Sequence, residues 1–154
     1  MNLKLSFSWV GIVIFALPML INIAYAVFPP TEKSGNTAKV ARWVEITEQI
    51  SRIAYLFAVT FLVSVKPLNF NSLWLYLSAC FLILYYVVWI RYFLGGRKTI
   101  LLGKKCLFIP IPLAVFPVLY FLFAAIWLNN ILAAAIIIIF GAAHITVSVQ
   151  SFNK

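Results

Sequence analysis

Five apolar runs, each long enough to cross a membrane as a helix, divide this chain, and short polar or proline-containing stretches separate them. A hydrocarbon core of about 30 Å demands about 20 helical residues. The runs therefore predict helices near 7–28, 43–65, 72–94, 107–128 and 131–150. Phe28-Pro29-Pro30 stops the first of them, because proline lacks an amide donor and disfavours helix in the residue before it. Lys66-Pro67 with Asn69 and Asn71 makes the second turn, Gly95-Gly96 through Lys104-Lys105 the third, and Asn129-Asn130 the fourth. A single helix over 107–150 would be about twice as long as the membrane is thick, so a tight hairpin is required there. The expected fold is all-α: one polytopic integral membrane domain over residues 1–154, built as a five-transmembrane-helix bundle.

Composition agrees with that pattern. Hydrophobic residues make up 65% of the chain and charged residues 10%, with no Asp at all, and the mean hydropathy is +1.07. A soluble domain needs a more charged exterior, and a chain with 17% aromatic residues is not a disordered one. Cys80 and Cys106 define no disulfide framework. The net charge of +9 is large enough to suit nucleic acid, but the basic residues sit between apolar runs, so membrane lipids are the expected partner and nucleic acid is not. Across five spans one side receives only Lys4 and Lys66, whereas the other receives nine Lys and Arg between Lys33 and Lys154. The positive-inside rule then puts the amino terminus outside and the carboxyl terminus in the cytoplasm, as a multi-pass protein of the cell membrane. The same asymmetry argues against a cleaved signal peptide over Met1 to Ala26, whose loss would leave the basic 91–105 loop outside.

The remaining information lies in polar residues that a bilayer should exclude. Only the 13 residues from Ile53 to Val65 of the second span are free of ionisable groups, so its full thickness must include charge. Arg52 is expected in the cytoplasmic leaflet, with Glu48 one turn before it, Glu45 earlier, and Tyr55 three residues after, all on one face. Glu followed four residues on by Arg is the favourable order for pairing. The face is either an interfacial first turn with Arg52 snorkelling, or a polar site buried between helices, and intramembrane charge makes the second reading functional. His144 is expected to look into the bundle from the fifth span, on the face that carries Gly141 and Ser148; Ala134, Gly141 and Ser148 recur at sevens as a small-residue stripe. It has no company for a metal, and no metal or other cofactor is expected. Tyr85, Trp89 and Tyr92 read as a pocket wall or an interfacial belt, with Trp89 and Tyr92 assigned to the belt and Tyr85 to a deeper cavity. Pro110, Pro112 and Pro117 predict a kinked fourth span, or an extended segment before a helix that begins near Pro112.

These residues converge on the cytoplasmic half, while the outer half, as in Ala133 to Ile139, is nearly all aliphatic. That distribution suits a pocket open to the cytoplasm or inner leaflet better than a channel. The 29–42 segment is then either a lid or an exposed connector. No phosphate-binding loop, GxSxG, paired aspartates or HExxH is present, so no catalytic residue is assigned and the chain is not expected to be an enzyme. The five-helix plan, small size, aromatic richness and cytoplasmic first loop are similar to the tryptophan-rich sensory and translocator proteins, which bind porphyrins and sterol-like lipids. Their interleaved Trp and Pro in the first loop are missing from FPPTEKSGNTAK, so neither residues nor ligand carry over. The expected function is binding of a small amphipathic or anionic ligand, in connection with transport. Arg52 would hold the anionic group, Glu48 orient Arg52, His144 exchange a hydrogen bond, and Tyr55 and Tyr85 pack the ligand. The competing expectation is a non-catalytic subunit or assembly factor for a membrane partner protein. A homodimer is compatible with both.

Overall fold

The computed structural model describes residues 3–31, 40–106 and 109–152. Five of the described helices are substantial: α1 (Trp9–Val27), α2 (Arg42–Phe61), α3 (Leu73–Leu94), α5 (Pro112–Trp127) and α6 (Ile131–Phe152), with a single turn, α4 (Ile100–Gly103), between α3 and α5. Three of them, α1, α3 and α6, are long and apolar enough to cross a membrane. The second and fourth predicted spans differ from the expectation in instructive ways. Charged residues occupy the first half of α2, and α5 is only 16 residues long.

Local chemistry sets the boundaries. Ser8 caps α1, its Oγ accepting the amide of Gly11 at 3.0 Å, and Ser72 caps α3 in the same way for Trp74. The helix expected from 107 begins at Pro112 instead, with Pro112 in the first turn and Cys106 bridged to Ile109 ahead of it. Ile111 sits just before that helix at φ 55°, a left-handed conformation costly for a β-branched residue. The helix expected to reach 65 stops at Phe61. Leu62–Ser64 become a strand, β2, paired antiparallel with β1 (Leu3–Leu5), and Ser6 and Ser8 extend the pairing to the carbonyls of Phe61 and Thr60. This small ribbon satisfies backbone groups at the end of α2 that helix alone would leave open.

Within the bundle α3 packs on α5, α2 on α6 and α5 on α6, while α1 lies against α2, α3 and α5. Hydroxyl groups from neighbouring helices serve backbone carbonyls, because nothing else in an apolar interior can. Pro18 removes the amide that would have bonded the Ile14 carbonyl, and the Tyr120 hydroxyl donates to that oxygen at 2.8 Å. Tyr55 donates to the Phe121 carbonyl at 2.8 Å and Ser78 to that of Tyr120 at 3.1 Å. The expected belt residues Trp89 and Tyr92 are instead buried, packed with Tyr25 between α1 and α3, because α1 covers the face that would have met headgroups.

Asn130 closes the tight α5–α6 turn, which Asn129 permits by adopting φ 53°. Its Oδ1 caps α6 through the amide of Ala133 at 3.0 Å, and its Nδ2 donates to the carbonyls of Ala58 at 2.9 Å and Leu62 at 2.7 Å. A buried side chain thus ties the start of α6 to the end of α2. Asn130→Ala is expected to cost about 2–3 kcal/mol, the sum of a lost cap and buried carbonyls left without donors, read as a lower unfolding midpoint in mild detergent.

Candidate functional site

The α2–α6 seam runs antiparallel and is pinned by polar contacts at both ends. At one end Asn130 meets Leu62. Fourteen residues along each helix, about 21 Å away, Glu48 meets His144. Sequence spacing places Glu48 and Arg52 on successive turns of α2, and the structure joins them in an ion pair. The same carboxylate oxygen, Oε1, also lies 3.1 Å from Nδ1 of His144. An ionised carboxylate only accepts, so the imidazole carries its proton on Nδ1 and donates it.

Phe140 sits one turn before His144 and organises the cluster from below. The imidazole stacks on its ring at 5.0 Å between centroids, and the Arg52 guanidinium lies 5.6 Å from the same ring. Exposure grades across the group. The Glu48 side chain is 8% exposed, His144 23% and Arg52 35%. The acid is therefore covered and doubly partnered, while the guanidinium keeps one side open. Among the described residues Arg52 makes no hydrogen bond besides that to Glu48. The arrangement can neutralise one buried carboxylate and present leftover N–H donors, in a fixed plane, to an outside acceptor.

Glu48, Arg52 and His144 are thus brought together, and Tyr55 and Tyr85 are not. The Tyr55 hydroxyl is spent on Phe121. Tyr85 is buried on α3, and its hydroxyl donates to Oδ1 of Asn22 at 2.9 Å, which places it against α1. The Thr47 hydroxyl, on an exposed part of α2, and that of buried Ser51 both donate to carbonyls of their own helix. Glu45 lies exposed, outside the cluster.

No family model matches this chain, and no curated protein or solved structure does. Function must therefore be argued from geometry alone. Among the described residues no three His, Cys, Asp or Glu side chains gather to hold a metal ion. The lid segment suggested by residues 29–42 lies mostly outside the described residues; Thr31, at its start, hydrogen-bonds through its hydroxyl to the Gly96 carbonyl at 3.0 Å. Phe140 is the site residue that sequence reasoning missed. Its position four residues before His144, on one helical face, was the available signal.

Proposed function

We propose that this chain is a five-span protein of the cell membrane, amino terminus outside, that binds a small amphipathic or anionic ligand through Arg52 on the cytoplasmic side of the α2–α6 seam. The observation that carries the reading is the double partnering of Glu48, which leaves a half-open guanidinium at membrane depth with donors to spare. Burying charge in lipid is costly, and three groups assembled at that cost are a site by default. Glu48 holds Arg52 in place, His144 relieves Glu48 of full dependence on Arg52, and the buried Phe140 ring backs both the imidazole and the guanidinium from inside the seam. Five crossings are supported by the alternation of the helix ends. Residues 3–5, 62–64 and 130 meet at one end, and Phe28, Tyr92 and the basic turn after α3 meet at the other. Among the described residues that second end carries Arg42, Arg91, Arg97, Lys98, Lys104 and Lys105, and the first only Lys4 and Lys66.

A second reading draws on the commitment of the Tyr55, Tyr85, Thr47 and Ser51 hydroxyls, which leaves few groups to line a ligand pocket. In it the triad is a clamp between helices, and the protein is a non-catalytic subunit or assembly factor for a membrane partner.

Arg52→Leu separates the two, because Glu48 retains His144 and the bundle is expected to survive the substitution. Native mass spectrometry of protein extracted gently from its own membrane reads the result. Retention of a non-lipid small molecule by the natural chain, and its loss in Arg52→Leu at unchanged yield, is the expected outcome. Stoichiometric recovery with another protein and no small molecule would replace ligand binding with the subunit reading.

A further inference from the structure

The end of the bundle opposite Arg52 holds a recess that the proposed site does not use. It has a volume of about 440 Å³ and lies where the loop after β2 passes the α5–α6 turn. Ser64, Lys66 and Asn129 give its lining a polar part, with Lys66 and Asn129 exposed at the surface, and Ile126, Ile131 and Ala134 an apolar part. A smaller cavity of about 50 Å³ shares Ser64 and Lys66 and continues beneath β2 toward Val59 and Leu128.

Charge sorts the occupant. The two acidic side chains among the described residues, Glu45 and Glu48, both belong to the first turns of α2, at the far end of the bundle. Among the described residues the Lys66 ammonium therefore has no carboxylate side chain to neutralise it at its own end, and it is exposed. The Ser64 Oγ accepts the Lys66 amide at 3.1 Å, which leaves its own hydroxyl proton free to donate into the recess. Asn130, which also lines the space, has both amide hydrogens committed to the carbonyls of Ala58 in α2 and Leu62 in β2 and is wall, not ligand group.

Size and surroundings narrow it further. A volume of about 440 Å³ lies in the range of small-molecule sites and holds about fifteen waters' worth of liquid, room for a headgroup and not for two acyl chains. Ile131 and Ile138 lie seven residues apart on one face of α6 and are 66% and 61% exposed, an apolar track leading from the recess down the helix into the region of lipid chains. We infer that this recess binds the phosphate headgroup of an anionic phospholipid from the outer leaflet, with Lys66 pairing the phosphate, Ser64 donating to it, and one acyl chain lying along Ile131 and Ile138. The inference rests on the membrane orientation proposed above but not on the Arg52 site.

Delipidated protein in mild detergent, titrated with phosphatidylglycerol and read by native mass spectrometry, tests it. The natural chain is expected to retain one phosphatidylglycerol in preference to phosphatidylcholine, and an excess of inorganic phosphate is expected not to displace it. Lys66→Gln and Asn129→Asp, both at exposed positions, should each weaken that binding about tenfold or more with unchanged unfolding midpoints, while Arg52→Leu leaves it as it was. Equal retention by both variants would overturn the site. Displacement by inorganic phosphate, or equal binding of phosphatidylcholine, would overturn the assignment to an anionic lipid. Loss in Arg52→Leu alone would move the lipid to the other end of the bundle.

Discussion

Glu48→Leu is expected to destabilise the bundle by about 2–3 kcal/mol, the loss of hydrogen bonds to a charged group, and less than the cost of stranding a fully buried charge because the remaining Arg52 side chain is 35% exposed. Two groups lose their partner at once. Arg52 keeps only the face of Phe140, and His144 loses the acceptor for its Nδ1 proton. The loss should appear as a sharply lower unfolding midpoint in mild detergent and a reduced yield in membranes. Combining Glu48→Leu with Arg52→Leu is expected to restore most of it, since both the uncompensated charge and its cause are then gone. A double variant no better than Glu48→Leu alone would mean that the carboxylate matters mainly through His144.

Gly11→Ala carries a comparable expected effect for a steric reason. A methyl group built on Gly11 would fall 1.9 Å from the carbonyl oxygen of Val59 and 2.6 Å from its carbonyl carbon, backbone atoms with no rotamer to change. The helices α1 and α2 touch there because this residue has no side chain, so any substitution must push them apart. A cost of about 3 kcal/mol or more is expected, at the upper end of overpacking. Amide exchange should also quicken at Leu3–Leu5, whose pairing with β2 depends on that approach. Gly141→Ala is the internal comparison. Its added methyl would lie 2.6 Å from a methyl group of Val118, a side chain able to shift, so the smaller effect belongs there. Equal losses at the two glycines would show that the α1–α2 contact is looser than this geometry requires.

How far the sequence reaches depends on whether a feature is local. Unbroken apolar runs predicted α1, α3 and α6 to within a few residues, and the i, i+4 spacing of Glu48 and Arg52 made their pairing legible. The three prolines announced a disturbance and allowed the helix start at Pro112. Strand β2 was not legible, because its partner lies some sixty residues earlier and neither segment alternates strongly enough to announce a strand. His144 was expected to face inward, yet its meeting with Glu48 required knowing that α2 packs on α6, which no local pattern states. The tyrosines misled for the same reason. A hydroxyl looks available in a sequence, and only the packing of helices reveals the carbonyl that has taken it. In the sequence Lys66 reads only as a turn residue and a topological charge, because the recess beside it is assembled from two segments some sixty residues apart.

The pairing of α2 with α6 also bears on how the protein is made. In the five-span arrangement proposed above α2 is the segment least suited to lipid on its own, and the groups that pair with its polar positions, His144 at one end and Asn130 at the other, belong to α6 and the turn just before it. Roughly seventy to eighty residues must follow α2 out of the ribosome before those partners exist, an interval on the order of ten seconds at ordinary elongation rates. Through that interval Glu48 and Arg52 have only each other. On the five-span reading proposed above, α2 therefore enters the membrane before its partners exist, and the arrival of α6 is what supplies them.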